Sequence, residues 1–179
     1  MTAEITLASE RVYEGRVVNL RVDAVRMADG RVAKREVVEH GAVVVIAALD
    51  GDGNIILVRQ ERTPIGKALW ELPAGGVDDD EDPTAAASRE LREETGFDAS
   101  RIQRLGGFYS SPGFCSEYLH LFLATDLHPS PLAQDVDESI EVAAIPLERA
   151  LKMVESEEIN DAKTMIGLLM LGQQVAGSK

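Results

Sequence analysis

Apolar and polar residues alternate with two different periods along this chain, and the changes of period mark out its elements. Val18, Leu20, Val22 and Ala24 alternate with Asn19, Arg21 and Asp23, the period-two pattern of a half-buried strand. Residues 12–39 read as strands throughout, with Asp29-Gly30 as a hairpin signal and residues 35–39 pairing back. This sets a small N-terminal β segment, residues 1–40, apart from residues 41–179. Residues 42–49 (AVVVIAAL) are continuously apolar, as in a central strand buried on both faces. Asp50-Gly51-Asp52-Gly53 reads as a turn, followed by a return strand over 54–60. A short strand over 69–72 ends at Pro73. Asp82-Pro83 then opens a helix, with Asp as N-cap and Pro at the first helical position, and Gly96 closes it.

Further strands are expected near 102–109, 119–124 and 140–145, with a loop over 110–117 and a polar loop over 126–137. Pro146 introduces helices over 147–154 and 161–175; the second carries Met165, Leu168, Leu169 and Gly172 at helical spacing. The chain contains no internal repeat or low-complexity linker. This order of elements predicts an α/β (or α+β) architecture, a mixed sheet with helices packed on it, plus a small N-terminal antiparallel sheet.

Composition narrows the function classes. The chain has 179 residues, 45% of them hydrophobic, enough for a real core. There are 31 acidic against 18 basic residues, for a net charge of -13, and no Lys/Arg run, so nucleic acid is not an expected partner. The single cysteine, Cys115, excludes an intramolecular disulfide and suits a reducing cytoplasm. No basic stretch followed by an apolar run marks a signal peptide, and residues 42–49 are too short to span a bilayer, so no membrane partner is expected.

The chemistry concentrates in residues 75–97, GGVDDDEDPTAAASRELREETGF. On a helix over 83–95, Glu93 lies about 60° to one side of Glu90 and Glu94 about 40° to the other. All three carboxylates therefore share one face, with Ala87, Leu91 and Thr84 on its flank expected to pack on the sheet. Like charges at this spacing repel, and the helix C-terminus favours cations. Either Arg89, beside Glu93, or a bound divalent cation must offset the repulsion. A carboxylate cluster without His or Cys selects hard ions such as Mg²⁺ over zinc. Diphosphate cleavage needs charge neutralisation, positioning and an activated water, which metal and a spare glutamate supply.

Gly75, then five residues, Glu81, then seven residues and Arg89-Glu90-Leu91-Arg92-Glu93-Glu94-Thr95-Gly96-Phe97 resembles the complete signature of the Nudix hydrolase family. The resemblance covers these 23 residues and the strand–loop–helix around them. It implies an α/β/α sandwich in which Glu90 and Glu94 bind Mg²⁺, with Mn²⁺ as a substitute, and Glu93 binds metal or assists the base. It also implies that Arg89 orients a glutamate, that Glu81 helps the metal site, and that the Ala74 carbonyl is a ligand. Two further stretches resemble the ADP-ribose pyrophosphatase branch: Arg59-Gln60-Glu61-Arg62 followed by Leu69-Trp70-Glu71-Leu72-Pro73-Ala74-Gly75, and Ser111-Pro112-Gly113-Phe114-Cys115-Ser116-Glu117. In that branch a proline at the position of Pro112, sixteen after Gly96, goes with ADP-ribose preference, and the glutamate matching Glu117 places or deprotonates the attacking water. The branch typically forms a homodimer in which the N-terminal sheet contributes to the partner's site, a role that the β segment over residues 1–40 fits. Phosphate contacts from Arg59 and Arg62, with Pro112 and Gly113 in the substrate loop, complete the expected site.

Plainer readings stand beside these. Three glutamates on a helix are ordinarily a solvated face, and Glu81 is one acid in the run Asp78-Asp79-Asp80-Glu81-Asp82, which reads as a solvated turn. Glu117 reads equally as a loop-end charge, and Trp70 as core or interface packing. Cys115 has no neighbouring His in sequence to make it a nucleophile, and His40, His120 and His128 are scattered. The alternatives to ADP-ribose hydrolysis are another nucleotide sugar, a dinucleotide polyphosphate, a damaged nucleotide, or a nucleotide-sensing module without catalysis.

Overall fold

The computed structural model describes residues 4–133 and 140–177. It divides into two compact units, residues 1–42 with 109–118, and residues 43–108 with 119–179.

The second unit is built on β4 (Val43–Ala48). All six of its residues are buried, as the unbroken apolar run requires. It lies inside a four-stranded mixed sheet of order β7-β4-β9-β8. Here β7 is Ala74–Gly76, β8 is Phe97–Tyr109 and β9 is Tyr118–Pro129. β9 runs parallel to β4 and β7 antiparallel to it. The alternate residues of β4 feed two cores. Val43, Val45 and Ala47 pack with Leu119, Leu121 and residues of α2 (Leu147–Glu155) and α3 (Ala162–Gly177). Val44, Ile46 and Ala48 pack with Phe122, Ala124 and the Ala86, Ala87 and Leu91 side chains of α1 (Pro83–Thr95). Helices thus cover both faces of the mixed sheet, the sandwich that the sequence predicts.

Four details differ from the sequence reading. β5 (Asn54–Arg62) returns from the Asp50 turn but does not form a ladder with β4. Only Leu49 and Ile55 bridge across the turn, while β5 pairs with β6 (Lys67–Glu71) and β10 (Glu141–Pro146) in a second sheet. Both edges of β4 are already taken by β7 and β9, so the apolar return strand satisfies its backbone elsewhere. β8 starts at Phe97, directly after the helix, through the polar stretch Asp98-Ala99-Ser100 that carries no strand pattern. β9 continues to Pro129, past Asp126 at a φ of 57°, through a stretch whose polar residues read as loop; residues 134–137 of that expected loop lie outside the described residues. Thr84 is exposed, and Ala86 is buried in its stead. Thr84 sits in the first turn, where its N–H is held by the capping Asp82.

α1 has the ends its sequence foretells. Asp82 Oδ1 accepts from the N–H groups of Thr84 (2.8 Å) and Ala85 (3.3 Å), and Gly96 closes the helix at φ 77° with its N–H on the Arg92 carbonyl.

The first unit is an antiparallel sheet of order β1-β2-β3, comprising Ile5–Glu14, Asn19–Arg26 and Val32–Glu39. The Asp29-Gly30 turn closes β2 on β3 in register, with Arg26 opposite Val32 and Gly30 at φ 87°. β1 begins seven residues before the first strand position read from sequence, Val12. Every residue in it is exposed, so no buried face imposes an alternation that could be read. Residues 110–117 are fastened to the end of β3. Val38 N–H donates to the Phe114 carbonyl (2.8 Å), Ser116 N–H to the Val38 carbonyl (3.0 Å), and His40 N–H to Ser116 Oγ (3.1 Å). Among the described residues, no helix is long and apolar enough to cross a membrane.

Candidate metal centre and active site

α1 carries Glu90, Glu93 and Glu94 on one face, but burial divides them. Glu94 is 3% exposed. The Glu90 side chain is 13% exposed and that of Glu93 29%. The face therefore grades from a buried carboxylate to a solvent-accessible one.

Arg89 neutralises this face. Its Nε and Nη2 grip both oxygens of Glu81 at 3.0 and 2.9 Å. Its Nη1 donates to Glu90 Oε1 at 2.6 Å and to Glu93 Oε2 at 3.0 Å. Nη2 also reaches the Gly76 carbonyl at 2.9 Å. One cation thus holds three carboxylates, and the Glu90 and Glu93 oxygens lie no farther apart than the sum of their distances to that one nitrogen. The expected brace on Glu93 is present, together with three further partners, Glu81, Glu90 and the Gly76 carbonyl, that spacing on the helix did not suggest. The Glu81 hydrogen bond, first among several, pushes the Arg89 guanidinium still further above its usual range, and Arg89 holds the Glu81 carboxyl below its ordinary value. The acidic run before the helix is folded back on itself as well. Asp78 N–H donates to Glu81 Oε2, and Glu81 N–H donates to the Asp78 carbonyl, both at 3.1 Å.

The floor opposite the helix is β7. Gly75 pairs with Val44 of β4, and the Glu90 carboxylate lies directly over it. A β-carbon at residue 75 would overlap all three atoms of that carboxylate, so only glycine lets it sit there. Next to it, Ala74 N–H donates to Glu94 Oε2 at 3.1 Å. The Pro73 carbonyl accepts from Ile46 N–H at 2.9 Å, which fixes the chain just before this floor. Ala74, Gly75, Gly76, Asp78, Arg89, Glu90 and Glu93 line a polar cavity of about 340 Å³. A divalent cation fits this donor set: hard carboxylate oxygens beside a glycine cradle, with neither His nor Cys. Among the described residues, no three acidic, His or Cys groups converge tightly enough to cage an ion unaided.

The remaining expected residues lie in several places. Arg62 commits Nε and Nη2 to the two oxygens of Glu71, at 2.7 and 2.5 Å, leaving Nη1 outside that pair. Glu71 is 1% exposed, and Lys163 of α3 also donates to it. Burial alone would raise the Glu71 carboxyl, but the hydrogen bond from Arg62 and the charge of Lys163 outweigh it and set the value below the ordinary one. Arg59 lies over Trp70, 5.7 Å from the ring centroid, with Glu141 3.7 Å from its guanidinium. Trp70 itself packs against the core on the α2 and α3 side. Glu117, Pro112 and Gly113 belong to the first unit. Pro112 and Gly113 are exposed, and Glu117 Oε1 lies 3.6 Å from His40 Nδ1. Sequence reasoning passed over Glu71, Asp161, Lys163 and Thr164. The available signal was an acid, Glu71, within an otherwise apolar strand, which must find a cation when buried.

Comparisons with known proteins give the family. Residues 38–166 match the NUDIX domain, and residues 4–38 match the nucleoside diphosphate sugar hydrolase N-terminal domain. The chain is 41% identical over 170 residues to the ADP-ribose pyrophosphatase of Bacillus subtilis (strain 168), covering 94% of this chain and 92% of that protein. It is 38% identical over 175 residues to the methanol dehydrogenase activator of Bacillus methanolicus, covering 97% and 95% of the two chains. A crystal structure of an ADP compounds hydrolase superposes with a TM-score of 0.90, covering 99% of this chain and 97% of its own, at 23% identity, and so shares the fold. With the family's domain matched over most of the chain, and a relative 41% identical over nearly its whole length, the chain belongs to the Nudix hydrolase family.

Proposed function

We propose that this Nudix pyrophosphohydrolase splits ADP-ribose into AMP and ribose 5-phosphate with Mg²⁺, Mn²⁺ serving in its place. The observation that carries the reading is the carboxylate face of α1, with Glu90 over the Gly75 cradle and Glu94 on the Ala74 N–H; in this reading Glu90 and Glu94 are the metal ligands. A metal bound there supplies neutralisation of the diphosphate charge and acidifies a water. Glu93 and the Ala74 carbonyl are the further donors in this reading, and Glu81 acts by holding Arg89. Arg89 keeps Glu90 and Glu93 in place while the cavity is open. Glu93, the most exposed of the three helix carboxylates, or Glu117 takes the proton from the attacking water. Arg59, and Arg62 through its remaining Nη1, pair with phosphate oxygens, and Pro112 and Gly113 shape the sugar end.

ADP-ribose is favoured by the likeness to a relative named for it and by the loop 111–117. The N-terminal match favours a second reading, another nucleoside diphosphate sugar. The same reading pairs two copies through the N-terminal segment, residues 1–40, where Ile5, Leu7, Val12 and Tyr13 are exposed on β1. The test is a panel of nucleoside diphosphate derivatives incubated with Mg²⁺ or with EDTA, the products separated by chromatography. Release of AMP from ADP-ribose, abolished by EDTA and faster than release from the other compounds, is the expected result. Faster cleavage of another sugar nucleotide keeps the helix chemistry and discards ADP-ribose. Tight binding without any cleavage replaces the enzyme with a nucleotide sensor.

A further inference from the structure

The four residues that lead into the metal floor are each tied down separately. The Glu71 side chain takes Arg62 and Lys163. Leu72 N–H donates to Thr164 Oγ1 at 2.9 Å. The Pro73 carbonyl accepts from Ile46, and Ala74 N–H holds Glu94. Two of these four ties come from one place, the first turn of α3. Asp161, just before that helix, organises both. Its Oδ2 accepts from Thr164 N–H (3.0 Å), Thr164 Oγ1 (2.6 Å) and Lys163 Nζ (3.1 Å).

The chemistry of the hydroxyl makes this arrangement directional. A threonine has one O–H donor, and Asp161 takes it, so the Thr164 lone pairs are left to face Leu72 N–H. Thr164 is completely buried, and so is the backbone at Leu72. Lys163 bridges Asp161 to Glu71 with 14% of its side chain exposed. Buried ion networks are inefficient as sources of stability, since desolvation consumes most of the attraction. What a network of this kind supplies is a fixed position. Here the fixed segment is the one that presents Ala74 to Glu94 and Gly75 to Glu90.

We propose that Asp161, Lys163 and Thr164 form a positioning clamp that sets residues 71–74, and through Ala74 and Gly75 the affinity of the carboxylate face for a divalent cation. The clamp rests on the reading of Glu90 and Glu94 as metal ligands. Its residues touch neither metal nor substrate. They act through the backbone, as outer-shell partners do at other metal sites.

The experiment is a titration of the full chain with Mn²⁺ alone, without nucleotide, with free Mn²⁺ read by electron paramagnetic resonance. Thr164→Val removes the hydroxyl at constant shape, and Lys163→Met removes the charge while keeping the length. Each is expected to raise the Mn²⁺ dissociation constant on the order of tenfold. Thr164→Ser and Lys163→Arg, which keep the hydroxyl and the charge, are expected to restore most of it. Met153→Ala, which opens a cavity at α2 in the core without touching a hydrogen bond of the clamp, serves as the stability control and should leave Mn²⁺ binding unchanged. If Thr164→Val unfolds the chain, Lys163→Met and Thr164→Ser still decide the matter. Variants that lose stability as Met153→Ala does, with wild-type Mn²⁺ affinity, overturn the clamp and leave the metal site standing. A wild-type chain that binds no Mn²⁺ overturns the metal-ligand reading and the clamp with it.

Discussion

Gly75→Ala separates the metal site from the fold. Gly75 lies in β7 opposite Val44 at an ordinary strand conformation, so the alanine backbone meets no strain. The three atoms nearest the new methyl group all belong to the Glu90 carboxylate. Relief comes when that carboxylate retreats by more than about 1 Å, to ordinary carbon contact distance. The end of a glutamate can swing away cheaply, so folding stability changes by less than about 1 kcal/mol. For catalysis the same movement is costly. It breaks the 2.6 Å contact with Arg89 and takes an expected metal ligand off its position. A misplacement of this size costs on the order of a hundredfold in rate, which is about 2.7 kcal/mol of transition-state stabilisation. Initial rates of AMP release at saturating Mg²⁺, beside a thermal melt by circular dichroism, test this. The expected pair is a rate reduced about a hundredfold with a melting temperature within a few degrees of wild type. Near-wild-type turnover would refute the reasoning, because it would mean that the Glu90 position over the cradle is not needed.

Three further outcomes follow from the same contacts. Glu71→Gln leaves Arg62 and Lys163 facing a neutral amide in a buried place and should cost about 3 kcal/mol of stability, read from urea midpoints. The Glu71 carboxyl lies below its ordinary value of 4.5 in the fold, so its contribution is complete above that pH and is lost as pH falls through the lower folded value; wild type should lose stability below about pH 4.5 more steeply than Glu71→Gln. Glu81→Gln weakens the two-point grip on Arg89, freeing it to swing from Glu90 and Glu93; kcat should fall while the melting temperature moves by only a few degrees, and an unchanged kcat would show that Glu81 serves the turn alone.

What could be read in the sequence was whatever leaves a local mark. α1 was legible to the residue at both ends because Asp82, Pro83 and Gly96 each satisfy a backbone need that few residues satisfy. β4 was legible because burial on both faces leaves no polar residue in it. β1 was hidden for the opposite reason: with both faces exposed, nothing forces a period. The departure of β5 into a second sheet was hidden because strand pairing is decided by which edges are already occupied, not by the strand's own residues. The site divides in the same way. The three helix carboxylates and Arg89 lie within one turn and a half, so helical spacing brings them together. Glu71 meets Lys163 across 92 residues of chain, and no local period can announce such a pair. The Gly75 cradle was visible only as a signature glycine; its physical cause, a carboxylate lying on the backbone, belongs to the tertiary structure.

The most direct test of the central claim is Glu90→Gln, which removes a charge from the α1 face at constant size. Turnover of ADP-ribose at saturating Mg²⁺ would be measured for both chains, with circular dichroism to confirm the fold. If the carboxylate face is the metal centre, turnover falls by a factor on the order of a hundred or more while the fold persists. Turnover within a few-fold of wild type would contradict the assignment of Glu90, and with it the metal site on which the function rests.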